Sequence, residues 1–290
     1  MMNDNLKSVF DYYENCWDER FRNGHNNISS ACHYGFYIDP SVNSIENTRN
    51  DYDLSKKKLN DILIEKINVN KNNKIKILDA GCGYGGTMLH LSNHFKNSVI
   101  HGITLTDTQI LCTQNIINNN NNDKNCKVFF GNFNNCCYNI NTYNINEKYD
   151  IIYFIESICH ANYKKTTIQY GLDMLNPGGS LIVFDYFENI KNDYIPSEIL
   201  ENLNIIKDGM AIPSFININD FNHLNFKEIN IQNVTSHILP GMRYSKEKAI
   251  KILNTNINND LMKKHLNGCI QMYNMHKSNH LNYTIVKIVK

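Results

Sequence analysis

Apolar positions along this chain switch repeatedly between a spacing of three to four and short unbroken runs, the pattern of helices interleaved with strands. Between Leu54 and Ile67, the residues Leu59, Ile62, Leu63 and Ile67 fall on one helical face. Residues 74–78 then read as a first strand and 98–103 as a second. The next helix opens at Thr106-Asp107-Thr108-Gln109, where a hydroxyl three residues before a glutamine matches a capping box, and it runs out in an asparagine-rich surface loop at 118–122. Residues 127–130, 149–155 and 180–184 read as strands three to five, the last reached through the turn Asn176-Pro177-Gly178-Gly179. Two later stretches, near 226–231 and 283–289, complete a seven-stranded α/β sheet with helices on both faces. No internal repeat is apparent.

Candidate chemistry begins where the first strand ends. The run Ile77-Leu78-Asp79-Ala80 passes into Gly81-Cys82-Gly83-Tyr84-Gly85-Gly86 ahead of a helix starting near Thr87. Glycines at such a turn let the backbone bend sharply and approach a ligand closely, which marks a nucleotide-type pocket. The spacing of Gly81, Gly83 and Gly86 also fits a dinucleotide fingerprint, but that motif wants an acid about twenty residues on to hold a ribose. The second strand leads instead into Thr104-Leu105-Thr106, and the acid of the first loop, Asp79, precedes the glycines. Cys82 has no base beside it and reads as a small packing residue.

A chain of 290 residues with 42% hydrophobic content has room for one large α/β domain with embellishments or for two small ones. Its 29 basic residues against 28 acidic ones make no electrostatic case for nucleic acid, and favour a small neutral or zwitterionic ligand. Nine cysteines, with an adjacent pair at Cys136 and Cys137 and no paired Cys-x-x-Cys elements, suggest neither a disulfide framework nor zinc, so reduced thiols and a cytoplasmic location are expected. The histidines at 90, 94, 101, 223, 237, 265, 276 and 280 show no ligand spacing, and no metal is expected. Neither an export signal nor a transmembrane span is indicated.

The order of acid, glycine loop and acid-free second strand resembles the first motif of class I S-adenosylmethionine-dependent methyltransferases. The resemblance implies a Rossmann-like seven-stranded sheet and S-adenosylmethionine as cofactor, its methionine part against Asp79, Gly81, Cys82, Gly83 and Gly85. Thr104, Leu105 and Gln109 look like the ribose side in a branch that uses hydroxyl and amide groups. In Gly131-Asn132-Phe133, Asn132 would accept from the adenine amino group and Phe133 stack on the ring, although an asparagine at a strand-to-loop turn is the plainer alternative. The end of the fourth strand, Phe154-Ile155-Glu156-Ser157-Ile158-Cys159-His160-Ala161, resembles the Glu-x-x-x-His-Ala element of sterol C-methyltransferases. The blocks Asp11-Tyr12-Tyr13-Glu14 with Trp17, and His33-Tyr34-Gly35-Phe36-Tyr37, resemble the amino-terminal cap of that group and of tocopherol and geranyl diphosphate C-methyltransferases. The likeness covers roughly residues 8–187. It implies a cap at 1–53 and a methyltransferase domain at 54–290; the stretch at about 187–240, where the likeness is poorest, is longer than a connection needs and reads as a lid insertion whose Met210, Pro213 and Phe215 suit a hydrophobic acceptor. Tyr13 would meet the cofactor, and Tyr34, Phe36, Tyr37 and Phe215 the acceptor. Homo-oligomerisation stays open.

Methyl transfer from a sulfonium is an in-line displacement, so the protein must align the partners and exclude water. Glu156, at a strand's carboxyl end, is placed to complement positive charge or to remove a proton after an alkene carbon is methylated, with His160 orienting it or relaying the proton. With an amine or phenol acceptor the same pair would hold or deprotonate the nucleophile, giving an N- or O-methyltransferase. Glu156 in a solvated loop with His160 on the surface is the plain alternative, as ordinary packing is for any single aromatic ring. A non-catalytic protein that binds the cofactor and a partner is the other functional class, which need not keep an acid and an imidazole together.

Overall fold

The computed structural model describes residues 4–14, 31–42, 48, 51–120, 125–132, 147–190 and 195–290. Trp17, Phe133, Cys136 and Cys137 lie outside the described residues. Helix α1 (Asp4–Tyr12) comes first, then α2 (Tyr52–Ile67), whose buried face carries Leu59, Ile62, Leu63 and Ile67 as their spacing predicts. The alternating part follows: β1 (Lys76–Ala80), α3 (Gly86–His94), β2 (Val99–Thr104), α4 (Asp107–Asn119), β3 (Cys126–Phe130), β4 (Tyr149–Ile155), a 3₁₀ turn at Ile158–His160, α5 (Lys164–Met174) and β5 (Leu175–Glu188). The rest comprises α6 (Ser197–Gly209), a 3₁₀ turn at Ile218–Phe221, β6 (Glu228–Asn233), α7 (Thr235–Leu253), α8 (Asp260–Lys277) and β7 (Leu281–Val289).

All seven strands form one sheet in the order β3-β2-β1-β4-β5-β7-β6. β1 to β5 run parallel, while β7 is antiparallel to both β5 and β6. The order reverses between β1 and β4, and open α/β sheets bind ligands in the crevice beyond the carboxyl ends at such a point. The glycine loop leaves β1 there and Glu156 leaves β4. Alternation along the strands splits the core into two layers. Leu78, Ile152, Phe154, Leu181 and Val183 face Ile168 and Leu172 of α5. Ile77, Ile151, Tyr153, Ile182 and Phe184 belong to the layer of α2, α3 and the carboxyl-terminal helices.

β5 runs straight through Asn176-Pro177-Gly178-Gly179 as an irregularity in its pairing with β4 rather than beginning after it. The span expected as one insertion at 187–240 is interrupted by β6: α6 and a 3₁₀ turn precede the strand and the start of α7 follows it, with α8 further on before β7. Residue 240 falls inside α7, so that limit needs correction. Pro240 is the sixth residue of α7, past its first turn, so it costs the helix the bond to the Ser236 carbonyl and its ring crowds that carbonyl. Gly241 gives the Tyr37 ring room, since a Cβ there would sit 3.2 Å from Tyr37 Cε2. α8 packs on both α6 and α7. Its main chain meets α6 at Gly268 and Gly209, where a Cβ on Gly209 would overlap the Lys264 carbonyl. No described helix is long and apolar enough to cross a membrane.

Candidate active site

The glycine loop takes its shape from left-handed backbone at Gly81 (φ 107°), Gly83 (φ 53°) and Gly85 (φ 80°), which side-chain-bearing residues rarely adopt. The amides of Gly81 and Cys82 both donate to the Ile103 carbonyl, at 3.0 and 2.9 Å, tying the loop to β2. A Cβ on Gly83 would meet only Cys32 Sγ, at 3.7 Å, so this glycine leaves open space on the cavity wall. Gly85 does different work: it is the N-cap of α3, and a Cβ on it would press against Thr113 Cγ2 at 2.6 Å. Asp79 is buried and accepts from the Tyr153 hydroxyl at 2.6 Å; burial pushes its carboxyl up to about 7 against the opposing pull of that bond.

Only half of the expected capping box forms. The Thr106 side chain accepts from the Gln109 amide at 3.2 Å, but the Gln109 side chain turns away and its Oε1 accepts from the Thr104 hydroxyl. Gln109 Nε2 is left buried with no hydrogen-bond partner on the cavity side of α4. An orphaned donor beside a glycine-lined hollow is a fitting seat for the ribose and chain of a nucleoside cofactor.

The opposite wall centres on Glu156, itself left-handed at φ 48° although not a glycine. Its amide donates to the Phe184 carbonyl at 2.8 Å, fixing the turn to the end of β5. Oε1 accepts from the Tyr34 amide at 2.8 Å and the Tyr283 hydroxyl at 2.9 Å, and Oε2 from the Tyr186 hydroxyl at 2.5 Å. Burial outweighs these donors and pushes the carboxyl up to about 7.

His160 Nδ1 lies 3.0 Å from the Ala211 carbonyl. A carbonyl can only accept, so Nδ1 carries the hydrogen and Nε2 presents a lone pair. That lone pair takes the Tyr13 hydroxyl at 2.9 Å. Burial lowers the imidazole to about 4, which keeps it neutral near pH 7 and its tautomer fixed. Beside Tyr13, Glu14 Oε2 accepts from the Thr108 hydroxyl at 3.0 Å, so α1 is fastened to the start of α4 as well as to His160.

One cavity is lined by Tyr13, Asp79, Gly81, Cys82, Gly83, Thr104, Leu105, Gln109 and Asn132 of the expected cofactor set, by Tyr34, and by both Glu156 and His160. Gly85, Phe36, Tyr37 and Phe215 are not on its wall. Phe36 stacks on His237 with ring centroids 4.4 Å apart, the Tyr37 hydroxyl donates to the Thr48 carbonyl at 3.2 Å, and Phe215 packs in the core with Lys207 Nζ 5.8 Å from its ring. Of the His-Tyr-Gly-Phe-Tyr cluster, therefore, Tyr34 turns into the cavity while Phe36 and Tyr37 fasten this segment to α7. Neither side chain of the Glu156–His160 pair sits in a solvated loop: His160 is 6% exposed and Glu156 is held by three donors. Nor do the two bond to each other, since both His160 nitrogens are engaged by Tyr13 and Ala211; the expectation that His160 steers Glu156 is corrected accordingly. Tyr153, Tyr186 and Tyr283 were missed. They sit at alternating positions of apolar strands, where a tyrosine reads as core, and only the polar ends of their rings give them away.

Residues 44–282 match the family model described as mycolic acid cyclopropane synthetase. Over 138 residues the chain is 29% identical to 24-methylenesterol C-methyltransferase 2 of Arabidopsis thaliana, a match covering 48% of this chain and 36% of that protein. The match thus spans about a third of the length of that curated relative. Among solved structures, the cyclopropane synthase MmaA2 from Mycobacterium tuberculosis superposes with a TM-score of 0.77 at 14% identity, covering 98% of both chains. Geranyl diphosphate C-methyltransferase from Streptomyces coelicolor A3(2), solved with Mg2+, geranyl diphosphate and S-adenosyl-L-homocysteine, gives 0.70 at 13% identity over 99% of this chain and 98% of that one.

Proposed function

Because the chain belongs to the mycolic acid cyclopropane synthetase family of class I S-adenosylmethionine-dependent methyltransferases, we propose that it methylates an alkene carbon of a small hydrophobic acceptor of isoprenoid or sterol-like type. The observation that carries this reading is Glu156, a carboxylate raised to about 7 and ringed by the hydroxyls of Tyr186 and Tyr283 at the mouth of the sheet crevice. When bound, the cofactor supplies an electrophilic methyl group on a positively charged sulfur. The open face at Gly83 would receive it, Gln109 Nε2 and Thr104 would hold the ribose, and Asn132 would hold the adenine.

Methylation of an alkene carbon leaves positive charge on the acceptor. The faces of Tyr34 and Tyr186, which meet edge to face with centroids 6.4 Å apart, lower its energy through their quadrupoles. Glu156 then takes a proton from the neighbouring carbon: the C–H bond breaks, its electrons form the new alkene and the carboxylate becomes the acid. Tyr13, by giving its hydrogen to His160 Nε2, keeps oxygen lone pairs for the positive region rather than a donor. α1 covers this end of the cavity and excludes water.

The test is turnover of methyl-labelled cofactor against prenyl diphosphates, sterols, phenolic lipids and amines, with mass spectrometry locating the added methyl. A methyl on carbon of an alkene is expected. A methyl on nitrogen or oxygen would overturn the C-methyltransferase reading in favour of an N- or O-methyltransferase. Tight cofactor binding with no transfer to any acceptor would favour a binding protein.

A further inference from the structure

The turn that carries His160 is gripped through its backbone by two buried charges, neither of which lines the cavity. Lys164, the first residue of α5 and 4% exposed, donates from Nζ to the Cys159 carbonyl at 2.7 Å and to the Ala161 carbonyl at 2.5 Å. These two carbonyls bracket His160. From the sheet side Asp185 of β5, fully buried, accepts the Cys159 amide on Oδ2 at 3.0 Å and the Tyr186 amide on Oδ1 at 2.8 Å. One carboxylate thus joins the His160 turn to the strand position whose side chain bonds Glu156.

Lys164 is an expensive residue where it stands. Burial opposes its charge, and the amino-terminal turn of a helix is where the macrodipole disfavours a cation. A methionine would fill the same space without either cost. What the lysine adds is two donors aimed at the carbonyls on either side of His160. The imidazole's own anchor is short on freedom too, since Ala211, whose carbonyl takes the Nδ1 hydrogen, is left-handed at φ 52°. A small slide of the turn would therefore break the Ala211 bond, and with it the tautomer that aims a lone pair at Tyr13.

We propose that Lys164 and Asp185 are positioning residues, which set the 158–160 turn so that His160 Nε2 meets the Tyr13 hydroxyl. The inference rests on the reading of Tyr13 and His160 as part of the reacting site, but its test needs no acceptor. The full chain is labelled with ring-15N histidine and the His160 signals are assigned by their loss in His160→Gln. At pH 7 the parent should show a single neutral form protonated on Nδ1. Lys164→Met should show a mixture of tautomers with at least a fifth of the ring in the other form, while calorimetric cofactor affinity stays within about threefold. Lys164→Arg, which keeps donors, should restore most of the single form. If Lys164→Met fails to fold, Asp185→Asn gives the same readout, with a smaller shift expected because one acceptor oxygen survives. A His160 spectrum unchanged in the folded variant overturns the proposal. Absence of methyl transfer in the parent would instead overturn the functional reading, so the two failures are distinct.

Discussion

On one wall of the cavity the chain makes a binding surface out of main chain: three left-handed glycines, two amides on the Ile103 carbonyl, and one redirected glutamine, all from the neighbouring ends of β1 and β2. On the other wall a single carboxylate collects donors from positions 122, 30 and 127 residues away in sequence. The first surface depends on where side chains are missing, and the second on where side-chain oxygens converge. On the proposed function, affinity and chemistry fall to different parts of the fold, and substitutions should separate them.

The largest effect is expected at Gly83. In Gly83→Val, a side chain enters the open space on the cavity wall at a left-handed position, so calorimetric binding of S-adenosylmethionine should fall by ~100-fold or more. Retained binding in a folded variant would break the comparison on the cofactor side. On the other wall, Glu156→Gln keeps the size but loses basicity, and turnover should drop by ~100-fold while cofactor affinity stays within a few-fold. The parent's kcat should rise with pH through about 7, as Glu156 ionises, and that limb should vanish in the variant. Turnover near the parent rate would reduce Glu156 to a structural acid. A gentler change, Gln109→Leu, removes the orphaned donor and should weaken cofactor binding by ~10-fold with kcat at saturation unchanged.

The smallest effect concerns stability, and here the two walls should behave alike. Asp79 and Glu156 are raised from 3.8 and 4.5 to about 7, so both bind protons more tightly folded than unfolded. Their contribution is fully present below the unfolded values and is lost as pH rises through about 7. His160 and His33, lowered from 6.5 to about 4, contribute above 6.5 and lose that as pH falls through about 4. His276, lowered to about 4, and Lys164, lowered to about 8, act in the same sense as those two histidines between pH 6.5 and 8 and offset the carboxyls, so the loss of about 1 kcal/mol from each carboxyl is read as a difference between parent and variant in denaturant unfolding of the cofactor-free protein. Over that window Asp79→Asn should lose about 1 kcal/mol less stability than the parent; an unchanged pH dependence would show that other groups carry it.

How much of this was legible in the sequence follows the same division. The glycine loop, Thr104, Gln109 and the strands around them are local patterns, and local patterns survive without knowledge of the fold. Glu156 and His160 could be picked out because they share one turn, but their relation to each other could not, since their partners arrive from α1, the Ala211 bend, β5 and β7. Tyr186 and Tyr283 were hidden by their setting among apolar strand residues, and Phe36 and Tyr37 were over-read because adjacent aromatics point different ways. α6 to α8 went unseen for a related reason: Met, Pro and Gly along 195–277 blur the helical period that tertiary packing then enforces.

The antiparallel strand β7 sets a timetable. It is threaded between β5 and β6, with Asp185 opposite Thr284 and Tyr186 opposite Tyr283, so the acid's third partner arrives only when this late segment is inserted into an existing sheet. During synthesis the glycine loop and its neighbouring strands exist long before Tyr283 has been made. The ring of donors around Glu156 is therefore the last part of the site to be completed as the chain is made.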